Sequence, residues 1–217
     1  MTTPVNDSAA ITNEQQASDY CALLTDAAGM ERLGRLESML REENERQNLV
    51  SNASLAALWE RHFADSAQLL EHVPRETGLW MDLGSGAGFP GLVIAAMRPD
   101  QDMLLVESRK KRIEWLERAI SALGLDRCKV AGARLEDVPT RAAGVISARA
   151  FAPLDRLLRL SARFSTPDSV WLLPKGRSAA KELAEQPKRV AAMFHVEPSR
   201  TDPQAGILLG RGAPEIS

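Results

Sequence analysis

Apolar positions recur at spacings of three and four through Leu33, Leu36, Met39 and Leu40, which predicts helix over about residues 13 to 47. Residues 48 to 52 read as a connection. Ser54 is the expected N-cap of a second amphipathic stretch carrying Leu55, Leu58, Trp59, His62, Phe63, Ser66 and Leu70, which Pro74 ends. From Leu79 onward the pattern changes. Short apolar runs now alternate with helical stretches. Strands are predicted at Leu79-Trp80-Met81 and at residues 102–107, 128–131, 144–148, 169–173, 190–196 and 206–210. Between them, Ser108 can cap a helix whose face is Ile113, Leu116, Ile120 and Leu123, with Gly124 at its end. Further helices are expected over residues 153–164 and 178–185. Such alternation predicts an α/β fold with a doubly wound, mostly parallel sheet and ligands at the carboxyl ends of its strands. The last two runs have no crossover helix between them and are expected to pair antiparallel. The chain thus divides into a disordered tail over residues 1–11, a helical cap over 12–75 and a sheet domain over 76–217.

The first strand runs into Asp82-Leu83-Gly84-Ser85-Gly86-Ala87-Gly88-Phe89-Pro90-Gly91. Glycines here let the backbone turn tightly and approach a ligand where a Cβ would clash. The spacing Gly86-x-Gly88-x-x-Gly91 also fits a dinucleotide loop, in which pyrophosphate sits on a helix N-terminus. Asp82 argues against a phosphate, because a carboxylate at the loop mouth repels it. The same carboxylate suits a ligand with a cationic amino-acid end, such as S-adenosylmethionine. Glu107 ends the second strand, 23 residues after Gly84. An acid about 20 residues past the loop bonds ribose hydroxyls in such folds, so Glu107 indicates a nucleoside without choosing between NAD and adenosylmethionine. The alternative for Glu107 is an acid favoured at the next helix N-terminus.

Length and composition narrow the class. The 217 residues, 44% hydrophobic, suffice for one sizeable core and a smaller attachment. No apolar run approaches a membrane span and no signal peptide is visible. Cys21 and Cys128 have no metal or redox spacing and are expected to be buried thiols, which points to a reducing, cytoplasmic setting. No metal site is predicted. The net charge of −2 is unevenly spread. Residues 1–50 hold nine acids against four arginines, and residues 134–200 hold twelve Lys/Arg against seven acids. A near-neutral total can therefore hide a basic face.

The glycine loop resembles that of class I methyltransferases. Its Phe-Pro-Gly ending is similar to that of the bacterial RsmG (GidB) family, the 16S rRNA guanine-N7 methyltransferases. Gln47-Asn48-Leu49-Val50-Ser51, Arg61-His62-Phe63-Ala64-Asp65-Ser66, Ser147-Ala148-Arg149-Ala150-Phe151-Ala152 and Leu173-Pro174-Lys175-Gly176 follow the same family order. Val50-Ser51 departs from the family's usual Asn-Leu-Thr and leaves the role of Ser51 open. The resemblance implies a Rossmann-like class I methyltransferase sheet, S-adenosylmethionine as cofactor, and methylation at guanine 527 of 16S rRNA in free RNA or the small ribosomal subunit. It also implies cofactor contacts at Gly84 and Phe89, at Leu135-Glu136 and at Arg149. With Asp82, Gly86, Gly88 and Glu107, these complete the expected cofactor site. Read from the residues alone, Glu136 is equally a helix-start acid, and Arg149 faces either cofactor or RNA.

N7 of guanine carries a lone pair and no proton at neutral pH, so its methylation needs no general base. The chain accordingly offers no obvious nucleophile–base pair, and no catalytic side chain is assigned. His62, on the apolar face of its helix, and Asp65 read as structural or capping residues, and His72 as incidental. RNA requires cations. Lys175 and Arg177 stand at the predicted ligand edge and are favoured as RNA contacts. Arg109, Lys110 and Lys111, with Arg112, form the densest basic run, which a solvated helix face explains equally well. Trp80 and Trp171 read as core. A monomer is expected. The rival functions are a class I methyltransferase of another substrate, an NAD-dependent oxidoreductase and a noncatalytic nucleotide-binding regulator.

Overall fold

The computed structural model describes residues 10–215. The expected tail lies outside these residues as far as Ala9. Ile11 is already packed, with its N–H on the Arg200 carbonyl at 2.8 Å.

Helix is predicted as one stretch over residues 13–47, but two helices form, α1 (Glu14–Leu24) and α2 (Ala27–Asn44). The break lies at Thr25-Asp26. Thr25 is extended, and the Asp26 side chain accepts the Gly29 N–H at 2.7 Å, so Asp26 caps a new helix rather than continuing the old one. The next cap is also displaced from the expected Ser54. Ser51 caps α3 (Asn52–Ala56), and the Ser54 N–H donates to its hydroxyl at 3.1 Å. The chain then widens into a π turn over Trp59–Ala64, narrows through α4 (Asp65–Ala67) and ends in a 3-10 stretch, Gln68–His72, ahead of Pro74. This change of helical pitch carries His62 and Asp65, and periodicity does not reveal it.

Strands and helices then alternate through β1 (Trp80–Leu83), α5 (Gly91–Met97), β2 (Met103–Glu107), α6 (Lys110–Leu123), β3 (Cys128–Gly132), β4 (Val145–Ser147), α7 (Leu154–Ser161) and β5 (Val170–Lys175). Two short helices, α8 (Ala179–Ala184) and α9 (Lys188–Ala191), precede β6 (Phe194–Pro198) and β7 (Gly206–Arg211). The apolar run predicted as strand at 190–196 is therefore split. Pro187 starts α9, and the strand begins only at Phe194. The described strands form one sheet in the order β3-β2-β1-β4-β5-β7-β6. Its first five strands are parallel, and β7 joins β5 and β6 antiparallel, as expected from the missing crossover. Pro174 is tolerated in β5 because β4 pairs only as far as Leu172.

Period-2 alternation assigns the strand residues to two cores. Trp80, Leu105, Val145 and Leu172 face the layer of α5, α6 and the N-terminal helices, including Leu33, Leu36 and Leu40. Met81, Leu83, Leu104, Ile146 and Trp171 face the α7 side. Burying each such side chain contributes about 1.5–3 kcal/mol. Both tryptophans named from sequence are in the core, and both cysteines are buried free thiols whose pKa burial pushes up to about 12. The face of α6 is rotated from the expected one: Trp115, Leu116, Ala119 and Leu123 are buried. Trp115 explains the rotation, since its indole N–H reaches the Ala87 carbonyl at 3.0 Å and holds the glycine loop from behind. Gly124 ends α6 as expected, at φ +65°. No described helix is long and apolar enough to cross a membrane.

Candidate active site

A cleft of about 1280 Å³ opens at the carboxyl ends of the parallel strands. Its floor is the loop after β1. Gly84 and Ser85 donate their N–H groups to the Val106 carbonyl at 2.9 and 3.1 Å, which ties the loop to β2. The Glu107 carboxylate then spans two loops. Oε2 accepts the Gly86 N–H at 3.0 Å, and Oε1 accepts those of Ser108 and Arg109 at 2.7 and 2.8 Å. These bonds, not the expected Ser108 side chain, order the start of α6, whose N-cap is Arg109.

Asp82 lies beneath this floor and is fully buried. Its Oδ2 accepts the Gly91 N–H at 3.2 Å, and its Oδ1 accepts the Ser147 hydroxyl at 2.8 Å. That hydroxyl in turn accepts the Trp80 indole N–H at 2.9 Å. Burial pushes the Asp82 pKa up, against the hydrogen bonds from Ser147 and Gly91. Only glycine fits at position 91, because a Cβ there would lie 2.4 Å from Leu105 Cδ2 and 2.7 Å from Asp82 Cβ. Gly86 differs: at φ +59° its absent Cβ has nothing nearer than Arg112 Nη1, at 3.4 Å, and the residue lines the cleft.

The opposite wall joins the sheet to the π turn. Arg149 follows β4, and Ala150 after it sits at φ +51°, a conformation that costs a non-glycine residue about 1–3 kcal/mol and is typical of functional loops. Arg149 Nη1 donates to Asp65 Oδ2 at 3.0 Å and to the Arg61 carbonyl at 3.2 Å, while Nη2 donates to His62 Nδ1 at 2.9 Å. The guanidinium carbon stands 5.0 Å from the Phe89 ring centroid. His62 stacks on the same Phe89, with centroids 4.6 Å apart and planes 5° apart. Burial first, then Arg149 and Arg61, hold the imidazole pKa down at about 3, so the ring is neutral. Asp65 Oδ1 accepts from Gln68 Nε2 at 3.0 Å and from Thr201 Oγ1 at 3.2 Å, which brings the β6–β7 connection to the rim.

A family model for rRNA small subunit methyltransferase G, GidB, matches residues 30–202. The chain belongs to this family. It is 63% identical to the ribosomal RNA small subunit methyltransferase G of Erythrobacter litoralis over 93% of this chain and 98% of that protein. It is 57% identical to the protein of the same name in Novosphingobium aromaticivorans, over 91% and 87%. Among solved structures it resembles a SAM-dependent methyltransferase from Aquifex aeolicus, with a TM-score of 0.55 at 12% identity over 80% of this chain and 97% of that one. It also resembles MtNAS in complex with S-adenosylmethionine, with a TM-score of 0.52 at 15% identity over 94% and 85%. These likenesses show the fold: an α/β, Rossmann-like class I methyltransferase sheet. Family membership makes the chain a methyltransferase of small-subunit ribosomal RNA.

Within this methyltransferase fold the sequence-predicted residues separate into three groups. Gly84, Gly86, Phe89, Glu107, Leu135, Arg149, Arg109 and Lys175 line the one cleft. Asp82 and Gly88 lie outside its wall: Asp82 is a buried strut rather than an acid at the loop mouth, and Gly88 closes the turn through its N–H on Ser85 O at 2.7 Å. Leu135 and Glu136 part company, since Leu135 is buried against the cleft while Glu136 is exposed beside Arg134. Among the basic candidates, Lys110, Lys111 and Arg177 are exposed and stand outside the cleft wall. Lys175 is not a free cation. Its side chain is only 10% exposed, and its Nζ donates to Glu182 Oε2 at 2.9 Å and to the Ala152 carbonyl at 3.1 Å.

The methyltransferase cleft also holds residues not singled out as site residues from sequence. Ser51, His62, Asp65, Phe151, Glu182 and Thr201 all line it. The stretch Arg61 to Ser66 carried the signal for two of them as part of the family resemblance. Nothing local to Thr201 or Glu182 marks them, because each reaches the cleft only through the packing of a distant element.

Proposed function

We propose that the protein transfers the methyl group of S-adenosylmethionine to N7 of a guanine in 16S rRNA, at guanine 527 by family resemblance, with free RNA or the small ribosomal subunit as partner. The observation that carries this reading is the joining of two unlike walls in one cleft. On one side a glycine loop and Glu107 offer a cradle for an adenosyl group, and on the other Arg149 and His62, packed on the loop's Phe89, form a polar, aromatic wall. The volume of about 1280 Å³ exceeds the roughly 300–1,000 Å³ of a single small-ligand pocket, leaving room for a base beside the cofactor. The residues fit the cofactor: at Gly86 a side chain would intrude on cleft space, Glu107 Oε2 keeps one lone pair for a ribose hydroxyl, and Leu135 gives an apolar surface for adenine. We read residues 12–75 as the cap over this site and 76–217 as the methyltransferase domain.

When bound, S-adenosylmethionine supplies an electrophilic methyl carbon, to which the guanine N7 lone pair bonds while the carbon–sulfur pair returns to sulfur. The protein then has to orient rather than deprotonate. That agrees with a neutral His62 whose Nδ1 is already occupied by Arg149 and cannot accept a proton. An enzyme acting on a base takes that base out of its stack. The exposed cations outside the cleft, Lys110, Lys111 and Arg177, would hold the flanking phosphates. The test is transfer from labelled S-adenosylmethionine to 16S rRNA and to small subunits, with the product mapped by borohydride and aniline cleavage at N7-methylguanine. One cleavage, at guanine 527, is expected. Absence of label in both substrates, or cleavage elsewhere, refutes the assignment.

A further inference from the structure

The His62 imidazole has one nitrogen accounted for and one not. A guanidinium only donates, so Nδ1, 2.9 Å from Arg149 Nη2, is the acceptor and the ring proton sits on Nε2. That Nε2–H is buried and has no hydrogen-bond partner among the described residues, the one such side-chain atom there. A buried donor left unpaired is destabilising. The stack on Phe89 does not explain it, since a phenyl ring at position 62 would stack equally well without a stranded N–H. His62 lines the cleft although Nε2 itself is sealed from water, so the imidazole makes sense if a ligand that opens this wall as it enters brings the missing acceptor.

The charges around it indicate which acceptor. Arg149 is matched by Asp65 at 3.0 Å and Arg61 by Asp202 at 3.6 Å, and His62 is neutral, so the cluster carries no net charge. A carboxylate arriving from the cofactor's amino-acid end would find no net positive charge there to offset the cost of its desolvation. A neutral carbonyl oxygen meets no such penalty. Guanine carries one, O6, adjacent to N7, where adenine carries an amino group that donates.

We propose that His62 Nε2–H donates to O6 of the target guanine, making His62 a specificity-determining residue that fixes the base with N7 toward the methyl group and rejects adenine. This rests on the guanine-N7 reading above. A donor on O6 draws electron density from the base, so its contribution is selection and orientation rather than activation of N7.

The experiment is a cycle between protein and base. RNA with 2-aminopurine at the target position lacks O6 and keeps N7. Methyl-transfer kcat/KM is measured for the wild-type protein and His62→Phe on guanine RNA and on 2-aminopurine RNA. His62→Phe is expected to lose about ten- to a hundredfold on guanine RNA, the range of one buried hydrogen bond, and to differ little from wild type on 2-aminopurine RNA. Its affinity for S-adenosylmethionine, by calorimetry without RNA, should be unchanged. Equal penalties for 2-aminopurine in both proteins overturn the assignment, and so does lost cofactor affinity, which would hand the donor to the cofactor. His62→Gln, which keeps an N–H donor, serves if the phenylalanine variant does not fold. It should retain the wild-type preference for guanine, and losing that preference also counts against the assignment. If the wild-type protein leaves N7 unmodified, the functional reading falls and this assignment with it. If N7 is modified and the penalties are equal, the assignment falls alone.

Discussion

Acid should unfold this protein in part through one imidazole. His62 has a pKa of about 3 in the fold against 6.5 for the free side chain, because burial and then Arg149 and Arg61 disfavour its charged form. The folded value is depressed, so below pH 6.5 the unfolded chain binds a proton that the fold refuses. Stability present above pH 6.5 is therefore lost steadily as the pH falls toward 3. The slope is about 1.36 kcal/mol per pH unit, which makes roughly 2 kcal/mol by pH 5. Residual solvent contact, 8% exposure, and local adjustment of Arg149 reduce this to about 1–2 kcal/mol. The informative perturbation is His62→Phe, which keeps a ring against Phe89 and removes the titration. Urea unfolding of both proteins at pH 7.5 and 5.0 gives four free energies. The absolute effect of the substitution cancels in the difference of differences. Wild type should lose about 1–2 kcal/mol more than the variant across that interval. Equal losses, or titration near pH 6.5 of the imidazole proton resonance that disappears in His62→Phe, would show that His62 is solvated and that the reasoning from burial is wrong.

Gly86→Asp should abolish S-adenosylmethionine binding in calorimetry, since a side chain at φ +59° enters the cleft and brings a carboxylate close to Glu107; unchanged affinity would contradict the cradle. Lys175→Ala should lower stability by about 1.5–3 kcal/mol in chemical unfolding, because it strips Glu182 of a charged partner, and should weaken RNA and cofactor binding alike; a selective loss of RNA affinity would restore Lys175 as a direct contact. Replacing the exposed Lys110 and Lys111 together by alanine should leave stability within about 0.5 kcal/mol and reduce the salt dependence of RNA binding by roughly two phosphate contacts; an unchanged slope would remove them from the interface. Asp82→Asn should destabilise by about 1–3 kcal/mol, since its amide must turn an N–H toward either the Gly91 N–H or the Ser147 hydroxyl and so leaves one donor without an acceptor; Ser147→Ala strands the Trp80 indole N–H, and the double variant should lose less than the sum of the two single losses, so purely additive effects would argue against the strut.

The sheet was legible because its signals are local. Short apolar runs separated by amphipathic stretches give the strands and their parallelism, and the missing crossover before the last run gives β7 its reversed direction. Errors cluster where one side chain outbids periodicity. Asp26 breaks a continuous helical pattern by capping it, Pro187 turns the first part of an apolar strand candidate into helix, and Trp115 rotates α6 to reach Ala87. Of the site, the glycine loop, Glu107 and Arg149 were readable because they stand at strand ends, where the fold class itself dictates exposure to the ligand. The partners of Arg149 were not. They depend on a π turn that shifts the phase of the helix and on a loop, at Thr201, that is adjacent only after β7 has folded back.

The disposition of charge in the cleft separates what builds the site from what remains free to act on a ligand. Asp82, Glu107 and Lys175 are three of the charged side chains that sequence placed at the ligand edge, and each is turned toward the protein. Asp82 joins β1, β4 and the start of α5, Glu107 ties the two loops above β1 and β2, and Lys175 with Glu182 fastens the chain after β4 to the end of β5. A low-dielectric site makes an unpaired charge expensive, so ionised groups near the sheet edge are stable only where backbone N–H and carbonyl groups absorb them. The acid before the glycines is thus better understood as setting where the loop emerges than as attracting a cationic ligand. The wall facing the base obeys the same rule with one exception. Arg149 and Asp65 neutralise each other, Phe89 flattens the cluster, and a single neutral donor, His62 Nε2–H, is left without an acceptor. Among the buried side-chain polar atoms of the described residues it alone is unmatched, which gives that N–H the strongest claim to a substrate atom.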